Sequence, residues 1–145
     1  MPPYAELHCI SNFSFLKGAS HPEEIVEQAK ALGYHAIALT DECSVAGIVR
    51  AHVAAQAADI KLLIGSEFQL EEGTRFILIA KNRSGYGYIC NLISTARRRA
   101  PKGDYYLSYK HFVETENNCI AIWLPSNQPL AVSYTHLTLP TILLV

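Results

Sequence analysis

Short runs of β-forming residues alternate with amphipathic helical stretches through residues 4–64, and no other feature constrains the fold as tightly. Residues 4–8 read as a strand. Ser20 then stands as the N-cap of a helix, with Glu23 three residues on completing a capping box. Ile25, Val26, Ala29 and Leu32 follow at helical spacing, and Gly33 supplies the stop. Ala36-Ile37-Ala38-Leu39 is a continuous apolar run, the pattern of a strand whose two faces are both covered by helices. The alanine-rich residues 44–58 predict a second helix, and residues 61–64 a third strand. Two strand–helix–strand units in succession predict an α/β fold with a parallel sheet and right-handed crossovers.

After residue 64 the pattern changes. Residues 68–70 and 75–80 flank Glu71-Glu72-Gly73, which reads as a hairpin turn. A third helix is expected from Gly85 to about Arg99, followed by the loop Ala100-Pro101-Lys102-Gly103, a short helix at 107–114 and a buried strand at 119–124. Ser133-Tyr134-Thr135-His136-Leu137-Thr138-Leu139-Pro140-Thr141 has no cap or turn logic linking it back, and it resembles translated sequencing-adapter sequence. Residues 132–145 are therefore expected to be a non-native tail; the alternative is an ordinary terminal strand.

Composition narrows the function classes. With 50% hydrophobic and 17% charged residues over 145, a buried core is available and wholesale disorder is excluded. A formal net charge of -1 lacks the basic balance of a free-standing nucleic-acid-binding domain. Cys9, Cys43, Cys90 and Cys119 are widely separated, with no C-x-x-C pair to hold zinc or run redox chemistry, and each reads as a small core residue. There is no basic stretch leading into an apolar one at the N-terminus, and no apolar run approaches the roughly 18 residues of a membrane span. A cytoplasmic chain with reduced thiols and no membrane contact is expected.

Functional groups collect at strand ends in parallel α/β sheets and barrels. His8 ends the first strand, Asp41 and Glu42 follow the second, and Glu67 follows the third. One imidazole and several carboxylates at successive strand ends can converge on a metal ion, the imidazole suiting zinc and the carboxylates suiting magnesium or manganese. Each residue also has a plain structural reading: a hydrogen-bonded histidine, an acid capping the next helix, a solvated loop glutamate. Residues 97–110 pose a similar choice. Arg97, Arg98, Arg99, Lys102 and Lys110 interleave with Tyr105, Tyr106 and Tyr109, which fits a patch tracking single-stranded DNA. It fits better a helix C-terminus whose cations complement the dipole, followed by a half-buried aromatic loop.

The order His8-x-x-Ser11-x-Phe13-Ser14-x-Leu16-x-Gly18, a capped helix, Leu39-Thr40-Asp41, an alanine-rich helix and Ile64-Gly65-x-Glu67 resembles the PHP (polymerase and histidinol phosphatase) domain. More narrowly, residues 4–130 resemble the start of the error-prone C-family bacterial DNA polymerases, relatives of the DNA polymerase III alpha subunit. The segments carrying that likeness are residues 6–24 and 39–44, Gly85-Tyr86-Gly87, residues 96–103 and Ile122-Trp123-Leu124-Pro125. The resemblance implies a truncated, distorted β/α barrel over residues 1–131. In members that keep the site, strand ends hold up to three metal ions that activate water for phosphoester hydrolysis. Here Ile10 stands where the second histidine of the first motif belongs, Lys17 where an acid or histidine ligand belongs, and Glu42 where a histidine belongs. Isoleucine has no lone pair to give, and an ammonium repels a cation. His8, Glu42 and Glu67 are left as a degenerate site with low occupancy by zinc or manganese, and the domain is expected to act as scaffold.

By the same resemblance, the intact protein would extend a DNA primer–template with deoxynucleoside triphosphates in translesion synthesis. It would use two magnesium ions in a palm that lies outside this chain, and other translesion or replication proteins as partners. No catalytic residue is expected among residues 1–145. Two alternatives remain at this level: a stand-alone PHP phosphoesterase, and a non-catalytic interaction module.

Overall fold

Alternation in the sequence becomes a parallel sheet with helices between its strands. The structure is a computed structural model that describes residues 2–113, 118–125 and 142–144. The chain divides into two compact units, Met1–Glu67 and Phe68–Val145.

In the first unit, β1 (Ala5–Glu6), β2 (Ala36–Leu39) and β3 (Lys61–Gln69) run parallel, with α1 (Pro22–Ala31) and α2 (Ile48–Ala58) as the crossovers. Ala5 lies beside Ala36, and Ala36 to Leu39 lie beside Lys61 to Ile64. β1 is shorter than residues 4–8 because the His8 N–H turns to the Glu6 carboxylate (3.1 Å) instead of the ladder. Pairing resumes one residue on, where the Thr40 N–H donates to the Cys9 carbonyl (2.7 Å). β3 is longer than residues 61–64 and continues to Gln69.

Helix α1 begins one residue later than expected. His21 is the N-cap; its N–H donates to the Glu24 carboxylate (2.8 Å), and Pro22 occupies the first helical position, where its missing N–H costs nothing. The Ser20 carbonyl instead accepts from the Asn12 N–H (2.8 Å). The C-terminus follows the expectation: Gly33 at φ 75° lets its own N–H reach the Lys30 carbonyl and the Tyr34 N–H reach the Ala29 carbonyl, both at 3.0 Å. Helix α2 starts at Ile48, not at 44. Ser44 Oγ accepts from the Ala46 N–H (3.2 Å), a local turn that competes with helix, and Cys43 has φ 46°. The core joins Val26 and Ala29 of α1, Ile37 and Leu39 of β2, and Ile48, Ala51 and Ala55 of α2. Each buried Val, Leu or Ile contributes about 1.5–3 kcal/mol relative to exposure.

In the second unit, β3 passes through a turn at Glu71-Glu72-Gly73, closed by the Leu70 N–H on the Thr74 carbonyl (2.8 Å), into β4 (Arg75–Ala80). Helix α3 (Arg83–Arg98) starts at Asn82, whose side-chain oxygen accepts from the Gly85 N–H (3.0 Å). Its Ile89, Leu92 and Ala96 are buried at helical spacing. A short α4 (Lys110–Val113) follows, and β5 (Cys119–Leu124) pairs antiparallel to β4 with Ala80 opposite Cys119 and Arg75 opposite Leu124. Phe68, Phe76 and Phe112 form an aromatic core, with ring centroids 5.7 and 4.7 Å apart along the series. A final strand, β6 (Ile142–Leu144), runs parallel to β5. The end of the predicted helix at 114 and the predicted tail, apart from 142–144, lie outside the described residues.

Candidate functional site

The strand ends of the first unit are organised around a buried carboxylate. Asp41, 1% exposed, lies just beyond β2. Its Oδ1 accepts from the Ser11 N–H (2.7 Å) and the Ser14 hydroxyl (2.8 Å), and its Oδ2 accepts from the Ser11 hydroxyl (2.8 Å). A carboxylate out of water requires such donors, and charge-assisted bonds of this kind are about twice as strong as neutral ones. Behind it, the Ser66 hydroxyl donates to the Asp41 carbonyl (2.8 Å), and the Glu67 N–H donates to the same carbonyl (3.0 Å). Thr40 Oγ1 accepts from the Cys9 N–H (3.1 Å). Together these contacts fold residues 9–18 over the ends of β2 and β3. Gly18 closes that loop because a Cβ there would stand 2.1 Å from the Ser11 carbonyl oxygen.

The plain alternative, that Asp41 caps the following helix, does not hold, since α2 begins only at Ile48 and the carboxylate bonds backwards to the loop. Ser11, Ser14 and Ser66 are the residues that sequence reasoning passed over. Ser11 and Ser14 show only as Ser-x-x-Ser ahead of Gly18, too common a pattern to name a partner, and Ser66 stands in Gly65-Ser66-Glu67, which has the composition of a loop.

His8 and Glu42 lie past β1 and β2, whereas Glu67, expected after the third strand, lies inside β3, which runs on to Gln69. His8 Nε2 lies 3.4 Å from Glu67 Oε2, with the imidazole 36% and the glutamate side chain 7% exposed. Glu42 faces Glu67 across a parallel bridge, and its carboxylate forms an ion pair with Lys17. Among the described residues, no group of three His, Cys, Asp or Glu side chains is placed to hold a metal ion. The donor set does not fit one. Ile10 offers no lone pair, Lys17 brings a positive charge to the carboxylate that a metal would need, and Asp41 is committed to three protein donors.

Two cations of residues 97–110 make contacts within the chain. Arg97 Nη1 donates to the Gly103 and Asp104 carbonyls (3.3 and 3.2 Å), and its guanidinium lies over Tyr105, 5.3 Å from the ring centroid. Arg98 Nε donates to the Ser94 carbonyl (3.2 Å). These two cations brace the end of α3 and the loop after it. Cys43 and Cys119 are buried, and burial pushes the Cys119 thiol up to about 11 and the Cys9 thiol above its ordinary value. Only the thiolate is a nucleophile. Alkylation by iodoacetamide at pH 8 is therefore expected to proceed at Cys9 and Cys119 far more slowly in the native than in the urea-unfolded chain, and equal rates would refute this. The sign follows from the raised values: the protonated thiols favour the native state below the unfolded thiol range, and that contribution is lost as pH rises toward about 11.

No helix among the described residues is long and apolar enough to cross a membrane. The chain is 55% identical over 128 residues to the error-prone DNA polymerase of Methylococcus capsulatus, covering 87% of this chain and 12% of that protein. It is 50% identical over 135 residues to the error-prone DNA polymerase of Dechloromonas aromatica, covering 89% of this chain and 13% of the relative. The chain thus spans only about an eighth of the length of the curated relatives it matches. Among solved structures it resembles a protein from Bifidobacterium adolescentis described as a metal-dependent phosphoesterase, with a TM-score of 0.55 and 26% identity over 68% of this chain and 34% of that one. The profile of the PHP domain matches residues 6–126, which include every residue of the strand-end site, and the chain belongs to the PHP domain family.

Proposed function

We propose that this chain is the PHP domain of a longer error-prone DNA polymerase, and that the domain serves as scaffold with no hydrolytic site of its own. The observation carrying the scaffold reading is the ion pair of Lys17 with Glu42 at the strand ends, where a hydrolase would hold a cation. The polymerase reading is supported by 50% and 55% identity to error-prone polymerases across nearly the whole chain. In that reading the substrates are a DNA primer–template and deoxynucleoside triphosphates. The magnesium ions of the transfer reaction sit in a palm outside residues 1–145, and the PHP site works with neither zinc nor manganese.

A long read across the genomic locus, followed by primer extension with the encoded protein, tests this. A reading frame that continues into a primer-extending polypeptide supports the polymerase; a stop directly after Val145 removes it and leaves the interaction module. The likeness to a described phosphoesterase favours one competing reading, an active hydrolase. Incubating the chain with p-nitrophenyl phosphate and manganese or zinc is expected to give no turnover above buffer, and EDTA-sensitive turnover would establish the hydrolase instead.

Residues 132–145 are assigned to a non-native tail. An apolar Ile-Leu-Leu can extend a sheet edge by backbone pairing whatever its origin, so the strand at Ile142–Leu144 is compatible with that assignment. Ending the chain at Leu130 is expected to move Tm by less than about 2 °C, whereas a fall beyond about 5 °C would make β6 a native strand.

A further inference from the structure

We propose that the outer strip of α3 binds the sugar–phosphate backbone of DNA without reading its sequence. This rests on the polymerase reading above, which supplies the partner. Lys81, Arg83, Arg97, Arg98, Arg99 and Lys102 place six of the chain's 12 cations within residues 81–103, a stretch that holds none of its 13 acids. The net charge of -1 therefore conceals a separation, with an acid-free basic stretch on α3 and its flanks. Ile89, Leu92 and Ala96 turn one side of α3 into the core, and Arg83, Gly87, Asn91, Ser94 and Arg98 are exposed along the other. At about 1.5 Å per residue the two arginines stand about 22 Å apart, the span of about six phosphates on one DNA strand.

Three features of this strip have no account within the chain. Arg97 and Arg98 complement the dipole at the helix C-terminus, but Arg83 stands in the first turn, where the dipole repels a cation and no acid is present. Gly87 leaves bare backbone inside a helix, although a Cβ there would meet nothing within 4 Å. Arg83, Arg98, Arg99 and Lys102 pair with no carboxylate among the described residues. A phosphodiester strand laid along α3 accounts for all three. It brings negative charge to the arginines at both ends, and it passes close to the helix where Gly87 carries no side chain. Asn91 and Ser94 add neutral donors to phosphate oxygens. Tyr105 and Tyr106, the rings of the patch expected at 97–110, are engaged by Arg97 and by the Glu71 carboxylate. The strip itself carries no ring on which a base could stack, so the contact is to phosphate and sugar alone.

Fluorescence anisotropy of the 145-residue chain with a fluorescein-labelled duplex and with its labelled single strand tests the strip. With the arginines and Lys102 on about three or four phosphates, duplex affinity is expected to fall about 40- to 150-fold between 50 and 200 mM salt. Arg83→Gln/Arg98→Gln should lower the salt slope by about two and weaken binding at 50 mM salt about tenfold or more, with Tm held within about 2 °C. Arg83→Lys/Arg98→Lys should keep the slope, because the strip supplies charge and not a guanidinium fork. Gly87→Glu sets a carboxylate between the arginines; it should weaken binding as the double glutamine variant does, while helix propensity raises Tm. Lys30→Gln/Lys61→Gln, the same charge change on the first unit, should leave the slope unchanged.

Tighter binding of the duplex assigns the strip to paired primer–template, tighter binding of the single strand to unpaired template, and either supports the proposal. No binding of either DNA at 50 mM salt would overturn it, as would a slope that Arg83→Gln/Arg98→Gln leaves unchanged. Poly-L-glutamate competing as well per charge as unlabelled duplex would give the strip to an acidic protein surface and overturn it too. Each of these failures leaves the polymerase reading standing, since the reading frame and primer extension are measured separately. A frame that stops after Val145 removes that reading and leaves a measured binding intact.

Discussion

Replacing Asp41 by alanine is expected to lower Tm by roughly 15 °C or more and to leave much of the chain unfolded at 37 °C. The carboxylate accepts three hydrogen bonds at 2.7–2.8 Å while 1% exposed. Alanine would orphan the Ser11 N–H and the hydroxyls of Ser11 and Ser14, which are 0% and 4% exposed. Each orphaned donor costs about 1–3 kcal/mol. The sum over three donors, about 3–9 kcal/mol, is a large share of the roughly 5–15 kcal/mol available to a whole domain. Asp41→Asn keeps the shape and one oxygen acceptor but points an amide at a hydroxyl, which can rotate to accept; about half the loss is expected. Glu23→Gln, at an ion pair 3.7 Å long on the surface of the same unit, should change stability by less than about 0.5 kcal/mol. Urea unfolding of the three variants checks the order. An Asp41→Ala midpoint indistinguishable from that of Glu23→Gln would show that the serine loop is not held by this carboxylate.

What the sequence disclosed about this site, and what it hid, follows from the range of the interactions. Hydrophobic period is a local property, so the parallel strands and crossover helices of the first unit could be read from Val26, Ala29, Ile37 and Leu39 alone. Helix starts were less legible. Ser20 and Ser44 both look like N-caps, but Pro22 pulls the first cap to His21, and the Ser44 hydroxyl forms its own turn ahead of α2. The length of β3 was hidden for another reason: Gly65-Ser66-Glu67 has the composition of a loop, yet Ser66 and Phe68 are fully buried and the strand runs on to Gln69. That His8 and Glu42 follow β1 and β2 could be expected from parallel α/β connectivity, whereas the place of Glu67 inside β3 could not. Nor could their partners. Ser11 to Asp41, Lys17 to Glu42 and His8 to Glu67 span 30, 25 and 59 residues, and a single hydrogen bond across such a distance leaves no periodic trace.

The second large effect pits helix propensity against packing within one helix. Gly85→Ala and Gly87→Ala make the same chemical change two residues apart in α3 and are expected to act with opposite sign. At Gly87 an added Cβ meets nothing within 4 Å, so alanine should stabilise by about 0.5–1 kcal/mol through helix propensity and loss of unfolded-state freedom. At Gly85 the same propensity gain is available, but the Cβ would stand 2.3 Å from the Asn118 carbonyl oxygen and 3.1 Å from its carbon. That oxygen already accepts from the Lys81 N–H (3.0 Å), and Asn118 holds φ 47° just before β5, so the segment has little freedom to retreat. Overpacking against backbone costs about 1–3 kcal/mol and occasionally more, which exceeds the propensity term. A net loss of about 1–3 kcal/mol is expected for Gly85→Ala, most of it as faster unfolding if the α3–β5 contact forms after the folding transition state. Stopped-flow chevrons of the two variants separate the terms. If both substitutions raise the midpoint, α3 can slide away from Asn118 and the close approach is not required. If Gly85→Ala alone falls, the bare backbone at Gly85 is what lets the helix seat against the start of β5.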